Sequence, residues 1–431
     1  MSDAFVRKQT LPQQPPPADV QGVLGWLREN MFSSPLSSML TMLAFLLLAW
    51  IIPDLVRYMF IDAVWSGKDG AACRVPEAGA CWAYVRAKIG FFTYGLYPDP
   101  EKWRVNLVLI AGALLTVWLL WPDARGRGLA AVLFFALYPV VSFGLLTGAP
   151  PFPLGWFPGG APGSVAVWLF PVVIIVLAGL FHALGRATWS YILAGVVAWY
   201  AIGLFWQTLN LPRVGTHLWG GVFVSLLVAA IGIVFSLPLG VLLALGRRSE
   251  MPVVRFCCVV FIEFIRGVPL ITILFMANFM LPLFVPQEWS PDRLLRPLIG
   301  VALFASAYMA EVVRGGLQAI PKGQYEGAMA VGLNWQQMMQ LIVLPQALVL
   351  VIPGIVNSFI ALFKDTTLVA IAGVFDFLKA IETQREDPAW AGPEISTTGY
   401  LFAALFYFVF CFGMSRYSIM MEKRLSAGRK H

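Results

Sequence analysis

Residues Glu326–Pro345 read EGAMAVGLNWQQMMQLIVLP. Stretches apolar enough to cross a bilayer flank this segment, yet the segment itself is polar and amphipathic. Keeping such an interruption in a membrane chain is costly unless another body docks on it. The pattern is Glu326-Gly327-Ala328, then Gly332, then nine residues, then Ile342-x-Leu344-Pro345. A partner that pushes on a membrane domain needs a compact lever, and a short helix along the membrane face supplies one. Glu326 is expected near the start of that helix, where a carboxylate suits the positive end of the dipole. Ala328 and Ala330 keep the helix surface thin, and Gly332 permits a turn or a close backbone contact. Pro345 fits the first turn of the next helix.

Outward from that segment, the composition is that of a membrane protein. The chain is 59% hydrophobic and 12% charged, where a soluble domain carries about 25% charged residues. Mean hydropathy is +0.76. Roughly ten stretches are long and apolar enough to span a bilayer, so the expected fold class is an all-α integral membrane protein. The expected spans are Leu36–Phe60, bent near Pro53, then Val105–Trp121, Leu129–Leu146, Val165–Leu184 and Trp189–Trp206. Leu218–Leu245, Val253–Leu283, Leu298–Leu317, Leu341–Phe363 and Tyr400–Met421 complete the set. Residues 1–35 open with a polar, Pro-rich tail without the apolar core of a cleavable signal. The net charge of +7 is the excess of Lys and Arg that cytoplasmic loops carry, and does not point to nucleic acid.

Basic residues set the orientation. With ten alternating spans, Arg125, Arg127, Arg186, Arg247, Arg248, Lys322, Lys423 and Arg424 share one side. That side is the cytoplasm by the positive-inside rule, and both termini lie there. The 61–104 loop then lies in the periplasm. It mixes Lys and Arg with Asp62, Asp69, Glu77, Asp99 and Glu101, and it holds Cys73 and Cys81. Two unrelated thiols are one reading of that pair. A disulfide is the other, favoured by an oxidising compartment and by an excursion that lacks an apolar core. No His or further Cys lies nearby to make a metal site. Cys257, Cys258 and Cys411 fall inside spans as small packing residues.

Chemistry is sparse. His182, His217 and His431 are scattered, and no nucleophile motif, paired carboxylates or metal-ligand spacing occurs. No Gly-rich phosphate loop ending in Gly-Lys-Ser/Thr is present, so the chain carries no recognisable ATP site. Residues 36–210 hold five expected spans with few polar residues, and structural roles suit them. Residues 216–424 hold five more, and there polar residues recur: Glu263 with Arg266, Glu311 with Arg314, and Lys364-Asp365-Thr366-Thr367. Charges at membrane depth usually face a pore or a partner. A zwitterionic amino acid needs a cation for its carboxylate and an acceptor for its ammonium. Lys364 or Arg266 with Asp365 and Thr366 would supply both. The alternative is that these pairs only fix helix geometry.

Three segments carry a family resemblance. They are IEFIRGVPL (Ile262–Leu270), AYMAEVVRGGLQAIPKGQYEGAMAVGLNWQQMMQLIVLPQAL (Ala307–Leu348) and FIALFKDTTLVAIAGVFDF (Phe359–Phe377). Together they resemble the permeases of polar amino acid ABC importers, the histidine/glutamine/general amino acid group. The long N-terminal half and GACWAYVRAKIG (Gly79–Gly90) resemble a permease subunit of the general L-amino acid transporter. The resemblance implies a type I importer core in residues 216–424 and an ATPase-coupling loop at 318–345. It implies a second homologous permease, two ATPase subunits that use ATP and Mg, and a periplasmic amino-acid-binding protein. No cofactor would be bound by this chain. Coupling would fall to Glu326, Gly327, Ala328, Gly332, Ile342, Leu344 and Pro345. The family pattern is Glu-Ala-Ala, and here Gly327 replaces the first Ala. A secondary carrier without an ATPase is the rival reading, although such carriers often show two similar halves and no internal repeat is visible here.

Overall fold

The computed structural model describes residues 22–149, 211–286 and 291–427, with Val197 and Leu209. The expected spans Val165–Leu184 and Trp189–Trp206 lie outside the described residues, apart from Val197. Among those described, seven helices are long and apolar enough to cross a membrane, or eight if one bent pair counts as a span. Among the described residues the chain is helical and multi-pass, with a two-residue strand at Phe375–Asp376.

Two compact units form. One comprises residues up to Tyr84 together with Pro388–Thr398, and the other comprises Val85–Asp387 and Gly399 onward. In the first unit lie α1 (Gly22–Met31) and α2 (Pro35–Val56). Ser34 and Ser37 form a capping box at the start of α2, satisfying backbone donors that a helix start leaves open. The apolar length of α2 is exposed throughout, the surface a lipid-facing span presents.

Beyond α2 the chain is more ordered than an excursion without a core. Cys73 and Cys81 are joined by a disulfide with Cα atoms 5.8 Å apart. Both are buried, with Ala80 and Tyr84. Gly70 N–H donates to Ala389 O at 2.9 Å, Arg74 Nε to Ala391 O at 2.9 Å, and Cys81 N–H to Thr398 Oγ1 at 2.9 Å. Helix α3 (Trp82–Tyr94) occupies much of the expected 61–104 loop.

The second unit holds α4 (Lys102–Leu120), α5 (Arg127–Val132), α6 (Tyr138–Thr147), α7 (Gly221–Arg247) and α8 (Pro252–Gly267). They are followed by α9 (Leu270–Phe275), α10 (Leu281–Phe284), α11 (Leu295–Ala319), α12 (Lys322–Ala330) and α13 (Trp335–Met338). Then come α14 (Leu344–Leu350), α15 (Ile352–Asp365), α16 (Phe377–Gln384) and, from Gly399 onward, α17 (Pro393–Ala427), whose first residues belong to the first unit. One buried core joins α7 to α4, α11 and α15 through Val105, Phe223, Val228, Val301 and Leu362. A second lies where Ala244, Ile262, Val313 and Leu317 meet Ala328, Met338 and Val343.

Prolines explain where the helices depart from expectation. The stretch Val253–Leu283 is not one span. Two helical segments, Pro252–Gly267 and Leu270–Phe284, are bent by 105°. Val268, between Gly267 and Pro269, is extended (φ −106°, ψ 134°), the conformation forced on a residue before proline. The expected span Leu341–Phe363 begins later and runs further, as Ile352–Ala372. Helix α14 ends at Val351 (φ −107°, ψ 11°), and Pro353 sits in the first turn of α15. Of the four π-helical turns among the described residues, three, at Leu133–Leu137, Met276–Met280 and Met339–Val343, stand just ahead of a proline (Pro139, Pro282 and Pro345), and the fourth, Arg57–Ile61, follows Pro53. A proline has no N–H and clashes with the carbonyl four residues back, so the turn widens there. At Pro282 the carbonyl four residues back is Asn278 O, which accepts from Arg296 Nη1 at 3.3 Å.

Candidate functional site

The loop that opens the sequence reading folds as two short helices locked by their own ends. Helix α12 closes with Gly332 in the left-handed region at φ 78°. Gly332 N–H donates to Met329 O at 2.9 Å and Leu333 N–H donates to Ala328 O at 3.2 Å. These are the paired bonds of a Schellman cap, with Gly332 at the position that favours glycine. Asn334 then caps α13: its Oδ1 accepts from Gln337 N–H at 2.8 Å, and Gln337 Oε1 accepts from Asn334 N–H at 3.1 Å. The turn is thereby held from both sides.

Side chains anchor the loop to the spans. Ala328 is buried in the second core, where Ile342 and Leu344 also pack. Tyr325 Oη donates to Leu317 O at 3.3 Å, and Arg248 Nη1 donates to both of those oxygens at 3.2 Å. Gln346 Nε2 donates to Gln324 Oε1 at 3.0 Å. Pro345 lies in the first turn of α14. Glu326 is not in the first turn of its helix. Because α12 starts at Lys322, Glu326 is the fifth residue, and the dipole argument loses its force there.

What remains exposed is the outward face. Glu326, Gly327 and Gly332 are exposed. So are Met329 (59%), Val331 (73%) and Trp335 (57%), apolar side chains on a segment outside the spans. A Cβ added at Gly327 meets nothing within 4 Å. Reading by motif overlooked Met329, Val331 and Trp335. Their signal was apolar residues inside a polar insert.

Arg266 does not join Lys364. It belongs to an ion cluster made by α7, α8 and α11. Glu311 Oε1 receives Arg247 Nη1 at 2.7 Å and Arg266 Nη1 at 3.6 Å, and Glu311 Oε2 receives Arg314 Nη2 at 2.7 Å. Glu263 pairs with Arg247 at 2.9 Å.

Lys364 and Thr367 line a cleft of about 430 Å³ with Ala404, Tyr407, Phe408 and Cys411 of α17. Lys364 is exposed. Among the described residues, Tyr407 Oη is buried with no hydrogen-bond partner. Thr366 is buried and spends its hydroxyl on Phe363 O at 2.8 Å. Asp365 is half-buried, and neither it nor Thr366 lines the cleft. The four expected path residues therefore part company: Lys364 faces the cleft, Asp365 and Thr366 do not line it, and Arg266 serves the cluster. Sequence reading missed Tyr407, an aromatic in an aromatic-rich span with no distinguishing neighbours.

Comparison with known proteins gives the family of the chain. Residues 236–427 match the family described as binding-protein-dependent transport system inner membrane component. Over 97% of its length the chain is 43% identical to an inner membrane amino-acid ABC transporter permease of Escherichia coli, of which 97% is covered. Over 99% it is 43% identical to a glutamate/glutamine/aspartate/asparagine transport system permease of Rhodobacter capsulatus, of which 99% is covered. A crystal structure of an amino acid ABC transporter with histidines is 25% identical, with a TM-score of 0.42, over 47% of this chain and 92% of the other. Likeness over nearly the entire length of two such permeases, with the family match across the helices that carry the loop and the cleft, means that the chain belongs to the amino-acid ABC transporter permeases of the bacterial inner membrane.

Proposed function

We propose that this chain is a permease subunit of the general L-amino acid type, in an ATP-driven importer. The observation that carries this reading is the α12–α13 loop. It is capped by its own side chains, anchored to α7 and α11, and still exposes Glu326, Met329, Val331 and Trp335 outside the spans. A carrier without an ATPase has no use for such a surface. Two ATPase subunits, which bind ATP and Mg themselves, would seat on this loop and its counterpart in a second homologous permease. A periplasmic binding protein would hand over the amino acid. The basic residues of α12 and of the α7 end favour a cytoplasmic loop and cytoplasmic termini. The cleft beside Lys364 would form part of the substrate path, with the Lys364 ammonium for the α-carboxylate.

The test is uptake by the complete assembly in proteoliposomes, with a panel of acidic, neutral and basic L-amino acids. ATP-dependent accumulation of several classes supports the general type. Accumulation of one class alone would narrow it, and accumulation that follows an ion gradient without ATP would overturn it. The orientation has its own measurement. An impermeant thiol reagent on intact cells should label Cys73 and Cys81 only after reduction, and labelling only after membrane disruption would reverse the topology.

A further inference from the structure

The ion cluster stands apart from both the docking face and the cleft. Glu311 lies eight residues before the end of α11, about 12 Å into that span from the loop. A carboxylate at such depth is costly unless it is matched. Here it is over-matched, since guanidinium groups from three helices converge on it. Arg314 comes from its own helix, one turn on, and binds through both Nε and Nη2 at 2.9 and 2.7 Å. Arg247 comes from the last residue of α7, and Arg266 from the end of α8, just before the 105° bend.

The bonds to Arg247 differ in kind from those to Arg314. The Arg314 pair is local and stays made however α11 moves. The single Nη1 atom of Arg247 reaches Glu311 at 2.7 Å and Glu263 at 2.9 Å, so one cation is shared between α8 and α11. Its neighbour Arg248 is bonded to Leu317 O of α11 and to Tyr325 Oη of α12. Two consecutive residues at the end of α7 thus connect α8, α11 and the docking loop. Any displacement of α12 that pulls on Tyr325 acts on the same turn of α7 that holds Glu311.

We propose that Glu311 is a positioning residue for transport: with Arg247 it latches the ends of α7, α8 and α11, and Arg247 trades between Glu311 and Glu263 as the loop moves. The latch converts a push on α12 into relative movement of three spans. It touches neither the ATPase nor the amino acid. This inference rests on the loop being the ATPase dock.

The full assembly in proteoliposomes tests it, with the ratio of amino acid moved to ATP hydrolysed as the readout. A merely structural role would lower protein yield or ATPase retention but would leave that ratio alone. Glu311→Gln and Arg247→Gln should each lower the ratio by about thirtyfold or more, the scale for removing one partner of a buried charge pair. The ATPase that co-purifies should stay at its wild-type level. The loss in the double variant should be smaller than the two single losses combined, because both variants break the Arg247–Glu311 bond. Arg314→Gln, which removes only the local pair, should lower the ratio less than Arg247→Gln. Glu311→Asp, with its charge kept, should recover part of the loss. An unchanged ratio in Glu311→Gln would overturn the latch, as would equal losses from Arg314→Gln and Arg247→Gln. If Glu311→Gln loses the ATPase and uptake in proportion, the residue is structural and the latch is again overturned. If the wild-type assembly shows no ATP-driven uptake, the parent reading fails instead.

Discussion

Helix α15 separates two regions that treat their polar groups in opposite ways. Ahead of it, the α12–α13 loop satisfies its own backbone: a Schellman cap at Gly332, a capping box at Asn334, and a tyrosine tied to Leu317. Its apolar groups are the ones left unserved, with Val331 and Trp335 facing outward. Behind α15, at the Lys364–Ala372 corner, the apolar groups are served. Phe363 packs among Phe406, Tyr407 and Phe410, while the exposed Lys364 borders a cleft and, among the described residues, Tyr407 Oη is buried without a hydrogen-bond partner. Unserved apolar surface on a firm frame suits a protein partner that brings its own apolar face. A cation at the edge of a largely apolar cleft suits a small ligand that carries an anionic group.

The comparison breaks most sharply at the cleft. Lys364→Ala should lower uptake by about tenfold or more, the scale for losing a charge-assisted hydrogen bond to substrate. It should also change the preference among acidic, neutral and basic amino acids. Tyr407→Phe discriminates further. If the phenol oxygen serves substrate, uptake falls. If it is only an unsatisfied buried group, its removal leaves uptake unchanged and the helix slightly more stable. Wild-type rate and selectivity in both variants would make the corner a purely structural one. Asp365→Asn should have the smaller effect of the adjacent pair, since Asp365 does not line the cleft. Equal effects from Lys364→Ala and Asp365→Asn would mean that the path runs elsewhere.

At the loop the expected effects are smaller and of another kind. Gly332→Asp places a side chain at φ 78°, where the backbone costs about 1–2 kcal/mol for an L-residue. No neighbour lies within 4 Å of its Cβ, so the cost is conformational and not steric. A penalty of that size thins the folded-loop population by a factor of about 5–30. The amount of chain in the membrane should not change, while retained ATPase and uptake should fall together. Glu326→Lys should act the same way through charge on the exposed face. Wild-type retention in both would remove the loop from the docking surface.

Much of this was legible in the residues, and the limits were physical. The loop could be read because its constraints are local: a glycine at a left-handed cap and an asparagine three residues before its glutamine act within a few positions of sequence. The spans were legible because hydropathy sums over many residues. Breaks at Val268 and Val351 carried a warning in Pro269 and Pro353, but the size of the bend depends on packing from distant helices. The cleft and the ion cluster were not legible as sites. Arg247 and Glu311 are far apart in sequence, and only the packing of α7 against α11 brings them within 2.7 Å. For the same reason the sequence left Lys364 and Arg266 as alternative cations, since spacing along one helix reveals that helix's faces and not which neighbour each face meets.

Gly327 offers the finest test of the docking face. Its place in the helix is one that alanine fills in the family pattern, and a Cβ there would stand in open space. Gly327→Ala should therefore firm α12 by about 1 kcal/mol of helix propensity without disturbing any neighbour in the chain. Amide exchange in Lys322–Ala330 of the purified chain should slow about fivefold. Uptake should stay at the wild-type level or rise slightly, because a firmer lever loses less motion to fraying. The outcome that sharpens the comparison is slower exchange together with weaker ATPase retention. It would mean that the partner presses against the Gly327 backbone itself, and that the unserved surface of this loop includes main chain as well as Val331 and Trp335.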